Sequence, residues 1–543
     1  MKVRHLLLAA SAIALAACGG NQEQAASTVA VAESARNAQC TDAYADGLRQ
    51  LNGIDLQQTD VLTLQKTLQA GTLTSTELVV QQLARIEAYD RANAALNSVR
   101  SLAPDAIAQA QMKDAERAAG QAKGPLHGLT VLLKDNTGTR DMPTTAGSIA
   151  LARNFPVAEA FITQQLRDAG AIVLGKTNLS EFANWMDLRM PNGYSSLGGQ
   201  VIAPYRFDLD PSGSSTGSGV AGTMAFGTVT IGTETSGSII SPATRHSLVG
   251  VKPTIGLVSR SGIIPLAHSF DTAGPMTRNV TDAAAVLGVI AGLDPLDDAS
   301  PRFEASPLAG AVPDYLAALS DTALEGVRLG VREADLTDSG LFGAALAVLE
   351  AEGATIVPFD GNLPPSVGSF ASITAIPNEF KLFLNRYLAE EAGPGIPVQS
   401  LSEIIAYNEG FPGAVKFGQS LLQLSDAQSG QELDPVYVLS RETAILSAQT
   451  WIDQQLSSND LDAIVGPNGA NTGITAAAGY PNVTVPMGYD GQVPQGLAFA
   501  STAFDEADLL AYAYDYEQAT QLRQPPTVLN AELALPCSAL VTE

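Results

Sequence analysis

Apolar positions set the first expectations. Thr74-Ser75-Thr76-Glu77 is a capping-box pattern, and Val79, Leu83 and Ile86 follow at helical spacing, which predicts a surface helix. Leu129 to Leu133 form a short apolar run directly before Lys134, and 169–180 (AGAIVLGKTNLS) repeats that plan between glycines. Both predict buried strands. A helical pattern over 157–169 lies between them, so the order is that of alternating β and α units on a mostly parallel sheet. Farther on, 462–470 (DAIVGPNGA) and 482–489 (NVTVPMGY) predict strands, and 506–520 predicts an amphipathic helix. From about 300 to 440 the pattern loosens into acidic turns, proline clusters and helical pieces such as 341–353. That stretch predicts a variable cap that shapes substrate access.

The start of the chain has a different character. Lys2 and Arg4 precede an apolar run over 6–17 that is short for a membrane span, which is the layout of an export signal. Leu15-Ala16-Ala17-Cys18, followed by Gly19-Gly20, resembles the lipobox of bacterial lipoproteins, in which the cysteine becomes the mature N-terminus and carries lipid. The expectation is a signal peptide over 1–17, a lipid-anchored flexible tether over 18–45 and a folded body over 46–538. The protein is then exported and held on a bacterial membrane, facing the periplasm. Cys40 and Cys537 are the only other cysteines and lie near the two ends of the mature chain, so an oxidising compartment predicts one disulfide between them.

Charge narrows the partners. The formal net charge is -26, which repels a nucleic-acid backbone and an anionic membrane surface, so no nucleic-acid partner is expected. The four histidines, His5, His127, His246 and His268, form no H-E-x-x-H, and no two cysteines are close, so no metal is expected. The stretch GAIVLGKT (170–177) satisfies the phosphate-loop spacing G-x-x-x-x-G-K-[ST], yet its four middle residues belong in a buried strand.

Two serine mechanisms compete. Gly213-Ser214-Ser215-Thr216-Gly217 fits the G-x-S-x-G elbow of α/β-hydrolases with Ser215 as nucleophile. Its base would be His246 or His268, which follow so soon that little chain remains for the intervening elements. The other mechanism needs no histidine: a lysine in a dry pocket loses its charge and passes a proton through a bridging hydroxyl to or from a nucleophilic serine. Lys134, at the end of an apolar strand, suits that base. The glycine-rich serine stretches could supply the hydroxyls and backbone N–H groups, although tight structural turns have the same composition.

Several stretches together resemble the amidase signature family, serine hydrolases that cleave carboxamides with a Ser, cis-Ser, Lys triad. They are GPLHGLTVLLKDN (124–136), MPTTAGS (142–148), GKTNLSEFANW (175–185), PSGSSTGSGV (211–220) and IGTETSGSIISPA (231–243). The resemblance implies an α/β fold with a mixed, largely parallel central sheet, helices on both faces and a helical cap insertion. It implies Lys134 as base, Ser214 as the bridging serine after a cis peptide bond and Ser238 as nucleophile, with Gly213 and Ser215 in support. Backbone N–H groups of Thr235, Ser236, Gly237 and Ser238 would form the oxyanion hole. Ser212, Thr216 and Ser236 stand where the family commonly has glycine, and a positive φ at 236 would sit badly with a serine. The run over 248–284, with 198–206, is especially similar to the peptide amidase branch, whose members remove ammonia from C-terminally amidated peptides. It leaves His246 and His268 as wall or packing residues, and Asp271 and Arg278 as structural ones. Substrate contacts are expected at Trp185, Met186 and Tyr194. No cofactor is implied, and the partner is a small-molecule or short-peptide amide. The alternatives are a broad amidase or esterase acting on anilides, aliphatic amides or carbamates, and a surface lipoprotein that has kept the fold as a binding module.

Overall fold

The computed structural model describes residues 48–92, 94–337, 340–364 and 375–533. The expected signal peptide, Cys18, the tether and the Cys40–Cys537 disulfide lie outside the described residues.

One sheet of eleven strands organises the fold. In chain order these are β1 (Val99–Leu102), β2 (Thr130–Lys134), β3 (Ile172–Thr177), β4 (Val229–Glu234), β5 (Val249–Lys252) and β6 (Thr272–Thr277), then β7 (Arg328–Arg332), β8 (Thr355–Phe359), β9 (Ala463–Pro467), β10 (Asn482–Asp490) and β11 (Val493–Ala500). Their spatial order is β8-β7-β9-β11-β10-β5-β6-β4-β2-β3-β1. Every residue of β2, β3 and β4 is buried, because layers above and below cover them; such strands need continuous rather than alternating apolar runs. The 170–177 stretch is thus a core strand with no phosphate loop in it.

The sheet is mixed, but it is not largely parallel. Of its ten pairings only β2 with β3, β2 with β4, β7 with β8 and β7 with β9 are parallel. The expectation extrapolated from the β2–helix–β3 unit, and the later strands are connected differently. For example, β10 turns straight into β11 through Gly491 at φ +59°, a tight reversal that can only make antiparallel neighbours.

Two further expectations change. Helix Ser75–Arg85 does begin with a capping box, in which the Thr74 hydroxyl accepts from the Glu77 N–H and the Glu77 carboxylate accepts from the Thr74 N–H. It is not a surface helix, since eight of its eleven residues are buried. Even Arg85 is inside, its guanidinium donating to the carbonyls of Leu48 and Met224. The region 300–440 is likewise only partly a cap. Strands β7 and β8, with helix Leu341–Ala351 between them, build one edge of the sheet. Helices Ala375–Glu390, Leu401–Glu409, Ser420–Asp426 and Pro435–Asn459 form a separate layer, whose apolar faces pack with Phe182, Met186 and Phe270 into a second core cluster.

Candidate active site

Strands β2, β3 and β4 run parallel, so their carboxyl ends deliver side chains to the same edge of the sheet, where α/β proteins place their ligands. Lys134 is the last residue of β2. The register Leu133↔Ile231 sets it beside Gly232 and Thr233 of β4. Its Nζ lies 2.8 Å from Ser214 Oγ, 2.9 Å from Thr233 Oγ1 and 3.1 Å from the Thr233 carbonyl. The side chain is fully buried, and desolvation lowers its pKa to about 7 against the opposing pull of Asp271 and Glu234.

The serine pair is held from both sides. The Gly213–Ser214 peptide bond is cis. A Cβ at 213 would fall 2.6 Å from Ser180 Oγ and force that hydroxyl to move, so the bare backbone of glycine suits the close approach, while the Ser180 N–H donates to the Ser214 carbonyl (3.1 Å). Ser215 lies beneath, its hydroxyl donating to the Thr233 carbonyl (3.0 Å) and accepting from the Thr233 N–H (3.2 Å). Ser215 immediately precedes helix Thr216–Thr223. Ser212 carries the left-handed backbone, φ +58°, that the glycine commonly found there would accept more easily.

The second serine stretch is shaped by Glu234. Its carboxylate accepts the N–H groups of Ile239 (2.7 Å) and Ile240 (3.0 Å), which folds 235–238 into a turn ahead of helix Ile240–Arg245. The positive φ in this turn falls on Gly237 (+84°) and not on Ser236, so serine at 236 is accommodated. Ser236 is exposed and Ser238 is 6 % exposed at the base of the turn. The Ser215 N–H donates to the Ser238 carbonyl (3.2 Å), which joins the two serine stretches. Beside them Asn136, Ala183, Thr235, Ile264, His268 and Asp271 line a pocket.

The histidines do other work. His246 Nδ1 is 2.8 Å from the Pro242 carbonyl, and burial pushes the ring down to about 4. It makes no contact with the Ser215 hydroxyl, so the G-x-S-x-G reading lacks its base there. His268 stacks on Phe383 and pairs with Asp298 (3.0 Å). Although His268, Asp297 and Asp298 are ligand types brought close together, the Arg260 guanidinium already bonds both carboxylates. Arg278 clasps the carbonyls of Gly222 and Gly227, a structural role. Of the expected substrate contacts, Met186 is buried in the second core cluster, the Trp185 indole donates to Ser425 (2.8 Å), and Tyr194 meets Phe417 edge-on with Lys416 above it. The sequence reading missed Thr233 and Asn136, which share a hydrogen bond of 3.0 Å under Lys134. Asn136 ends the 124–136 stretch and Thr233 lies in 231–243, and only the β2–β4 register marks them.

The Amidase family profile matches residues 77–472, a span that contains every residue of this site. The chain belongs to the amidase family. Peptide amidase from Stenotrophomonas maltophilia, in its native form, aligns to the amidase described here with a TM-score of 0.81 at 43% identity, covering 86% of this chain and 98% of that one. An amidase family protein from Bacillus anthracis str. Ames aligns at 0.81 and 35%, covering 86% and 92%. A protein of Arabidopsis thaliana named as a probable amidase is 37% identical over 497 residues, 89% of this chain and 94% of its own. The amidase is therefore an enzyme that hydrolyses amide C–N bonds, and the binding-module alternative falls away.

Proposed function

We propose that the amidase attacks carboxamides with Ser238, relays protons through Ser214 to Lys134, and acts on C-terminally amidated peptides. The observation that carries this reading is the buried Lys134 amine 2.8 Å from Ser214 Oγ, with two hydroxyls and a carbonyl around it and, among the described residues, no carboxylate in hydrogen-bonding reach. A lysine desolvated to about 7 is substantially neutral at neutral pH and can accept a proton. As Ser238 Oγ attacks the carbonyl carbon, its proton passes to Ser214 while Ser214 gives its own to Lys134. The N–H groups of the 235–238 turn receive the developing oxyanion. The relay then runs in reverse and protonates the nitrogen as the C–N bond breaks, releasing ammonia. Water hydrolyses the resulting ester between Ser238 and the acyl group.

The peptide preference is supported by the 43% identity to a peptide amidase and by the 248–284 run. Ammonia release from a short C-terminally amidated peptide, with Ser238→Ala as the blank, tests it. Release that disappears in the variant is expected. Its absence from the wild type would move the substrate to anilides, aliphatic amides or carbamates. We infer in addition that Cys18 carries lipid and anchors the exported enzyme, supported by the lipobox resemblance at 15–20. Metabolic labelling with an alkynyl fatty acid should tag the wild type and spare Cys18→Ser, and an untagged wild type would refute the anchor.

A further inference from the structure

Asp271 stands outside the triad, directly before β6, yet its carboxylate connects the turn that carries Ser238 to the facing wall of the pocket. One oxygen accepts the hydroxyl of Thr235. The other accepts the backbone N–H groups of Leu266 (2.8 Å) and Ala267 (3.0 Å). The same wall is pinned from the helical layer, because Glu379 accepts the Ser269 N–H (2.8 Å) and the Tyr437 hydroxyl (2.6 Å). The charged and titratable groups that face Asp271 are Lys134 from β2, His268 from its own loop, Arg260, and Glu379 from helix Ala375–Glu390. Among these, Lys134 is the one that the mechanism requires to gain and lose a proton.

We propose that Asp271 is a positioning residue of the reaction: it holds Thr235, at the entrance to the donor turn, against the 266–267 wall, and together with Glu234 of β4 supplies the negative charge that faces Lys134 across the site. The proposal rests on the assignment of Lys134 as base. Three donors converge on Asp271, so the ionised carboxylate is the form that suits them all. Desolvation nonetheless raises its pKa to about 6. A negative charge favours protonated lysine, so Asp271 opposes the burial that would otherwise carry Lys134 farther down. It thereby keeps the amine basic enough to take a proton from a hydroxyl.

An asparagine separates the two parts of this role. In Asp271→Asn the amide oxygen can still accept from Leu266 and Ala267 while its NH2 donates to Thr235 Oγ1, so the shape survives and the charge is lost. Measured as kcat/KM against pH on an amide substrate, the acid limb of Asp271→Asn should move down by about one pH unit relative to wild type. A merely structural Asp271 would change thermal stability and leave that limb in place, so an unmoved limb in folded Asp271→Asn overturns the charge role. The positioning role is read at Thr235. Thr235→Val should lower kcat about tenfold with little change in KM, and Thr235→Ser, which keeps the hydroxyl, should recover most of that loss. Full kcat in Thr235→Val overturns the positioning role, and this pair also carries the test if Asp271→Asn fails to fold. Failure of the underlying reading is distinguishable: Lys134→Met with wild-type turnover would remove the base itself, and the proposal with it.

Discussion

Two lysines lie at the carboxyl ends of adjacent parallel strands, both fully buried, and they have opposite fates. Lys176, in β3, donates to the Thr137 carbonyl and to Thr144 Oγ1 (2.9 Å), with the Asp135 carboxylate 3.7 Å away. Among the described residues Lys134, one strand over in β2, hydrogen-bonds only hydroxyls and a carbonyl, and its carboxylates act from beyond hydrogen-bonding distance. Burial lowers both, to about 8 for Lys176 and about 7 for Lys134. At Lys176 the carboxylate neighbour ties the amine into the scaffold, whereas at Lys134 the hydroxyls in its place leave the amine able to exchange a proton. The difference lies in one neighbour rather than in depth.

The largest expected effect breaks the comparison at Lys134. Lys134→Met should reduce amide turnover by about a thousandfold or more, and turnover of a matched ester by much less, since an alkoxide leaves without the proton that an amine needs. Equal losses on both substrates would count against the relay. The same variant should be more heat-stable than wild type. A lysine whose folded pKa is about 7, against 10.5 when unfolded, destabilises the fold fully below about 7, and the penalty fades as pH rises toward 10.5. The gain in Tm should therefore be greatest at neutral and acid pH.

Lys176→Met is expected to do the reverse. It strands Asp135 in the core, which should cost about 3 kcal/mol or more in urea unfolding, and adding Asp135→Asn should recover much of that loss. A Lys176→Met variant as stable as wild type would dissolve the distinction between the two lysines. A smaller effect concerns pH: kcat/KM should fall as pH drops below about 7, because protonated Lys134 cannot act as base. The smallest expected change is Ser212→Gly, which relieves a left-handed serine beside the cis-serine and should stabilise by about 0.5–1 kcal/mol without altering the lysine environment.

Local features were readable before the fold was known. The capping box at Thr74 and the helix Glu506–Thr520 follow from short-range pattern, and the strand before Lys134 follows from an apolar run that ends in a charge. Strands β5 and β6 were not readable, since β5 pairs with β10 far along the chain and β6 is placed by running back along β4 and β5, and β11 was missed although it follows β10 in a tight hairpin. Strands β7 and β8 were hidden inside a stretch read as cap, although they form a parallel pair joined by helix Leu341–Ala351. At the site, the motif residues could be placed on the chain, but their partners could not. Thr233 lies under Lys134 only because β2 and β4 pair in one register, and Asp271 reaches Thr235 only because β6 runs back along β4 with Thr272 opposite Glu234. Register depends on which partner strand each strand meets as well as on its own pattern, so the spacing within these motifs does not reveal it.

The central claim is that Ser238 is the nucleophile and that Ser214 and Lys134 activate it. Labelling the purified enzyme with a fluorophosphonate, locating the adduct by peptide mass and following the labelling rate against pH tests it most directly. The account predicts a single adduct on Ser238, formed at a rate that rises with pH through about 7 and collapses in Ser214→Ala and Lys134→Met. An adduct on Ser215, or a Ser238 adduct that forms equally fast in Lys134→Met, would contradict it.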